Sequence, residues 1–172
     1  MRWAGTCYRA HDPRWAFAPL SGDGAAAVGA RFNPIGVPAL YLALSMECMF
    51  AEIGHRFIHR FDPLTICSYD VDVDGIADLR TLESRAAAGV ALDEMACDWV
   101  VAIARRKRPE SWDVAEKLMR AGHSGILTPS FARGAPPGMA NLVLWRWGPD
   151  LPHRVSVNDP AARLPKDQSS WP

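Results

Sequence analysis

Two rhythms of apolar and polar positions run along this chain, and they come in the order strands, helices, strands. Ala4–Arg9 (AGTCYR) reads as a first strand with Arg9 at its end. Leu40–Leu44 is a brief apolar strand, and Leu64–Val71 (LTICSYDV) alternates as a strand with one buried face does. Ile76–Leu79 is a further short strand. The period turns helical after Ser45, which suits an N-cap, with Glu47 in the first turn where the dipole favours an anion. Met46, Met49, Phe50, Ile53 and Phe57 recur at helical spacing and predict the buried stripe, with Glu52 beside it. His55, Arg56, His59 and Arg60 suit the negative end of that helix, which Asp62-Pro63 terminates.

The middle of the chain predicts three more helices. One spans Thr81–Ala88 and stops at Gly89. A longer one spans Leu92–Arg106, with Met95, Trp99 and Val100 or Ile103 inward. The last is capped by Ser111, runs through Arg120 and is stopped by Gly122. Strands return at Gly125–Thr128 and at Asn141–Trp147 (NLVLWRW), separated by a Gly- and Pro-rich loop that opens at Pro129-Ser130. Upstream, the glycines and short Ala run between Pro19 and Gly29 predict a helical turn capped by Ser21 or Asp23. This order is that of an α+β domain rather than of repeated βαβ units. Residues 1–148 read as that single domain. Residues 149–172 read as a Pro-rich C-terminal extension, in which Arg154–Val157 can pair as an edge strand and a tail begins at Ala161.

Composition narrows the function classes. The 172 residues suit one domain with a full core. Lys+Arg and Asp+Glu are each 19, and a neutral chain lacks the basic surplus that phosphate neutralisation requires, so direct nucleic-acid binding is not expected. Neutrality also predicts limited solubility alone, hence a partner or an oligomer. Cys7, Cys48, Cys67 and Cys97 are scattered without a C-x-x-C pair, as expected of reduced thiols in a cytoplasmic protein. The N-terminus turns polar too early for a signal peptide, and no apolar run approaches the roughly 20 residues that span a bilayer.

Candidate chemistry concentrates between Gly29 and Phe57. That stretch sets the Arg31 guanidinium beside a turn, the Tyr41 phenol at the head of a strand and the Glu52 carboxylate inside the following helix. On spacing alone, a surface pair of Glu52 with Arg56 is the simpler reading. Arg31 is equally served as a solvated loop charge, and Ser130 as a turn residue. Gly22-x-Gly24 lacks the preceding strand and later acid of a dinucleotide-binding loop. His55 and His59 have a metal-like spacing but no third ligand, so no metal is expected. The run Arg105–Arg108 reads as a solvated helix end.

Taken together, Arg9 in CYRA, the LSGDGA…GARFNP segment, YLALS, the helical Glu52, GILTPS and the NLVLW strand resemble the RES-domain toxins from about Ala4 to Trp147. The family name records an Arg, a Glu and a Ser, which correspond here to Arg31, Glu52 and Ser130. Arg9 and Tyr41 match further pocket positions. The resemblance implies a fold similar to diphtheria-toxin-type ADP-ribosyltransferases, with a split β-sheet core flanked by helices. It also implies consumption of NAD+ as substrate without a metal: members hydrolyse it, use phosphate as acceptor, or transfer ADP-ribose to a protein. Partners implied are a cognate Xre-type antitoxin, a target protein for mono-ADP-ribosylation, which is the favoured outcome, and a homodimer within the toxin–antitoxin complex. Neither a membrane nor nucleic acid is among them.

On this resemblance Glu52 faces the cationic ribose of the transition state. Arg9 and Arg31 suit the pyrophosphate, and Gly22, with Gly24 and Gly29, would let backbone N–H groups approach the same anion. Tyr41 offers a face to the nicotinamide ring, and Ser130 orients Glu52 or the ribose. Two positions depart from the pattern. Phe50 stands where arginine-modifying transferases carry a second Glu, which disfavours a free Arg acceptor, and Phe32 replaces the usual Trp. Two rival classes remain: a ribonuclease-type toxin, for which His55 is the nearby acid–base candidate, and a non-catalytic module that docks an antitoxin.

Overall fold

In the structure, a computed structural model, residues 1–54 and 63–169 are described. His55, Arg56, Phe57, His59, Arg60 and Asp62 lie outside the described residues. The opening half contains β1 (Trp3–His11), α1 (Asp23–Val28), β2 (Leu40–Ala43), α2 (Met46–Gly54), β3 (Thr65–Val73) and β4 (Ile76–Asp78). Four helices follow: α3 (Leu82–Ala88), α4 (Leu92–Ala96), α5 (Trp99–Ala104) and α6 (Glu110–Arg120). The chain then completes its sheet with β5 (Gly125–Pro129), β6 (Ala140–Leu144) and β7 (His153–Val157).

Among the described residues, seven strands lie in one mixed sheet, ordered β4-β5-β6-β2-β1-β3-β7. Among the described strands only the β4–β5 pair is parallel, which needs the long crossover through α3–α6. The architecture is the single-domain α+β class, with one continuous seven-stranded sheet as its centre. Residues after 148 add β7 to the outer edge of β3, from Tyr69 opposite Val157 to Val73 opposite His153.

The period of two decides which side chains meet. Cys7, Leu40, Leu42, Tyr69, Val71, Leu142 and Leu144 form a core on one face. Phe32, Ile126 and Val143 pack on the other face against Met95 of α4 and Leu118 of α6. Further along that second face, Ala43 packs with Cys48 and Met49 of α2, and Tyr8 and Ala10 join them.

Three expectations about helices change. In α2 the buried residues are Cys48 and Met49, while Met46 and Phe50 are 48% and 51% exposed. The contact stripe is therefore rotated toward Cys48, whose thiol donates to the Ala140 carbonyl at 3.4 Å. That rotation brings Glu52 onto the inward side, one turn after Cys48. The single helix expected over Leu92–Arg106 is broken at Cys97 and Asp98. Cys97 is extended (φ −49°, ψ 149°), and the Asp98 side chain restarts the helix by accepting from Val101 N. Val100 is exposed, while Trp99 and Ile103 are half-buried, and no residue of α5 is fully buried. Ser111, expected as a cap, sits instead inside the first turn of α6, after Pro109 at the cap position.

Candidate active site

Glu52 projects from α2 toward the ends of β5 and β6. Its Oε1 accepts two hydrogen bonds, from Ser130 Oγ at 2.6 Å and from Asn141 Nδ2 at 2.7 Å. Ser130 immediately follows β5, where its own N–H donates to the Met139 carbonyl and its Oγ accepts from Ala132 N. Asn141 is oriented from the other side, because its Oδ1 accepts from the Cys48 thiol at 3.4 Å. The two donors thus fix one oxygen of the carboxylate from two strands. No described residue donates to the second oxygen, Oε2.

Arg31 is held as firmly. Its Nη1 donates to the Met95 and Cys97 carbonyls at 3.0 and 2.8 Å, and its Cζ lies 4.7 Å from the centroid of Phe131. The break between α4 and α5 is what turns those two carbonyls toward the guanidinium. Nε and Nη2 donate to no described residue. Burial draws the guanidinium below its ordinary pKa, while Cys97, Glu52, Tyr41 and Asp98 act in the opposite sense.

The turn that carries Arg31 is clamped at three successive carbonyls. Ala30 O accepts from Trp112 Nε1 at 2.7 Å, Arg31 O from Ser111 Oγ at 2.5 Å, and Phe32 O from Trp145 Nε1 at 2.8 Å. Tyr41 completes the clamp: its hydroxyl accepts from Phe32 N at 2.9 Å and donates to Asn33 Oδ1 at 2.8 Å. Burial raises the Tyr41 pKa far above the usual phenol range. The Tyr41 hydroxyl is thus committed to the turn, and only its half-buried ring remains to meet a ligand. Asn33, fully buried, spends its amide on the Ala25 and Val37 carbonyls at 2.9 Å each.

The structure brings Arg31, Tyr41, Glu52 and Ser130 to one face of the sheet, and it does not bring Arg9 or Gly22 there. Arg9 pairs in register with Cys67 and shares its face with Cys7 and Tyr69, opposite to Tyr8, Ala10 and α2. There its Nη1 donates to the Pro19 and Ser21 carbonyls at 3.1 and 3.2 Å. Its pKa is lowered by burial, and no carboxylate compensates. Gly22 starts α1, where an added Cβ would lie 2.7 Å from Trp147 and 2.9 Å from Ala39 N. Close packing explains that glycine. Around it Leu20, Ser21, Asp23, Pro38, Trp145 and Trp147 line an open groove of about 490 Å³, separate from Glu52. Gly29, at φ 72°, reverses the chain just before Arg31.

Sequence reasoning missed Asn141, Phe131 and the carbonyls of Met95 and Cys97. Asn141 carried a readable signal: it is a polar residue at the head of an otherwise apolar strand, in register with Ala43 next to α2. The four cysteines are free thiols. Among the described residues no cluster of three His, Cys, Asp or Glu side chains is arranged for a metal, and no helix is long and apolar enough to cross a membrane.

No curated protein matches the chain. Among solved structures, it is similar to a chain of the M. tuberculosis MbcT-MbcA toxin-antitoxin complex, at 22% identity and TM-score 0.61, covering 92% of this chain and 84% of that one. The likeness shows a shared fold. The RES domain model matches residues 6–167, which includes every strand partner of Glu52, the Arg31 turn and β7. With that match running over nearly its full length, the chain belongs to the RES-domain family.

Proposed function

We propose that this protein is the toxin of a type II toxin–antitoxin system, that it cleaves the nicotinamide–ribose bond of NAD+, and that it passes ADP-ribose to an acceptor. The observation that carries the reading is the Glu52 carboxylate, held at Oε1 by Ser130 and Asn141 with Oε2 left to a ligand. The reaction breaks the ribose C1′–N bond, whose electron pair leaves with neutral nicotinamide. Positive charge then develops on the ribose ring, and a fixed carboxylate beside it lowers the barrier. The acceptor forms the new bond at C1′ and loses its proton. Nicotinamide departs as a neutral base, so no general acid is required for it.

Arg31 supplies the complementary pole. Its guanidinium is anchored by one nitrogen and keeps Nε and Nη2 for phosphate oxygens, the bidentate geometry that suits a pyrophosphate. The Tyr41 ring is the remaining aromatic surface for the pyridinium. Arg9 lies on the other face of the sheet, so its contribution is the lesser of the two arginines. The toxin role draws on RES-domain membership and on the fold shared with a chain of a toxin–antitoxin complex. A cognate Xre-type antitoxin, a cellular protein as target and a cytoplasmic site of action follow from the same reading, as does a homodimer within the complex.

Incubation with NAD+ and a cell extract tests the acceptor directly. Mass spectrometry distinguishes free ADP-ribose, its phosphate adduct and a protein bearing one ADP-ribose. The modified protein is the expected product. Free ADP-ribose alone would move the assignment to a glycohydrolase, and RNA cleavage with NAD+ intact would overturn it.

A further inference from the structure

The two charged poles of the candidate active site are joined by one dipeptide, Ser130-Phe131. Ser130 Oγ donates to Glu52 Oε1 at 2.6 Å, and the Arg31 guanidinium lies over the ring of the next residue, with its Cζ 4.7 Å from the centroid. The backbone on either side of Phe131 is pinned. Ser130 N donates to the Met139 carbonyl at 2.8 Å, and Ala132 N to Ser130 Oγ at 3.2 Å. The Phe131 ring also meets Phe32, the neighbour of Arg31, at a centroid distance of 6.2 Å and an interplanar angle of 49°. Phe131 thus packs against two consecutive residues of the Arg31 turn, while its own backbone continues from the Glu52 anchor.

Arg31 forms no ion pair among the described residues. A carboxylate partner would bond the planar N–H fork and compete with a phosphate for it. An aromatic face attracts the cation without accepting those in-plane bonds. The Met95 and Cys97 carbonyls fix the Nη1 corner of the guanidinium, and the ring supports its plane. Nε and Nη2 are thereby kept as donors in one orientation.

We propose that Phe131 is a positioning residue for the dinucleotide: it sets the plane of the guanidinium that receives the pyrophosphate and ties that plane to the strand end that anchors Glu52. The proposal rests on the NAD+ reading above. Phe131 acts through Arg31 on binding and takes no part in bond breaking.

Steady-state nicotinamide release and calorimetry with ADP-ribose test it on the full chain. Phe131→Leu and Phe131→Met keep an apolar side chain and remove the aromatic face; both are measured below their melting transitions. Each is expected to raise KM for NAD+ and to weaken ADP-ribose binding about 3- to 30-fold, with kcat within about twofold of the parent. Phe131→Tyr restores the face and is expected to bind as the parent does. In an Arg31→Gln background, Phe131→Leu should cause no further loss of kcat/KM, because the group it orients is gone. Parental KM and affinity in the Leu and Met variants would overturn the proposal. So would a loss confined to kcat, which would mean that the ring serves Ser130 and Glu52 instead. An equal loss with and without the Arg31 guanidinium would overturn it too, since packing alone would then account for the effect. A parent that neither binds ADP-ribose nor consumes NAD+ overturns the NAD+ reading and this proposal with it, whereas the other three results leave that reading standing.

Discussion

One oxygen of Glu52 is spoken for by Ser130 and Asn141, and that division of labour gives the carboxylate a single orientation. A hydrogen bond to a charged group contributes about 1.5–3 kcal/mol. Asn141→Ala should therefore lower kcat roughly 10- to 100-fold if the bond matters mainly in the transition state, with KM for NAD+ little changed. Steady-state nicotinamide release measures both. A change confined to KM would mean that Asn141 serves binding rather than the orientation of Glu52. On the opposite face His11 offers a separate test. Burial first, and the nearby Arg9 charge second, lower its pKa from 6.5 to about 4. Between those values the unfolded chain takes up a proton that the native protein refuses, so His11 costs stability as pH falls from 6.5 to 4. Melting curves across that window should show a shallower acid decline for His11→Gln than for the parent. Parallel declines would contradict the shift.

At the scale of elements, the Arg31 turn depends on Gly29. Its φ of 72° disfavours any side chain, and an added Cβ would lie 2.8 Å from Trp112. Gly29→Ala should cost about 1–3 kcal/mol in denaturant unfolding, and activity should fall with the displaced Arg31. An unchanged unfolding midpoint would show that the turn relaxes freely. The strands and α2 were legible in the sequence because periods of two and of about 3.6 are written in single residues. The facing of α2 was not. Met46, Cys48, Met49 and Phe50 are all apolar, so hydrophobicity alone cannot say which of them turns inward, and the Cys48 bond to the Ala140 carbonyl settles it. The break before α5 was hidden for a related reason. Neither Cys97 nor Asp98 is a strong helix breaker, and the interruption makes sense only once Arg31, far away in sequence, accepts the freed carbonyls as partners for its guanidinium. Asn141 and Glu52 likewise meet only through the sheet order, which no local pattern encodes.

For the whole molecule, the sheet is both scaffold and partition. It gathers Arg31, Tyr41, Glu52 and Ser130 on one face and leaves Arg9 on the other, a separation that strand parity implies once the face packed by α2 is known. β7 closes the β3 edge, and Val155 and Leu164 pack on the core. Removing residues 149–172 should therefore lower the melting temperature by several degrees and promote self-association through the uncovered strand. A truncated chain that melts with the parent and stays monomeric would show that β7 is dispensable. Under the proposed function, the clamped carboxylate drives loss of nicotinamide from NAD+. The most direct test of that claim is the rate of nicotinamide release by purified Glu52→Gln, which keeps size and hydrogen-bonding reach while removing the charge. The expected result is a variant that folds and melts as the parent does but releases nicotinamide at least about 100-fold more slowly. Release at the parental rate by that folded variant would contradict the claim.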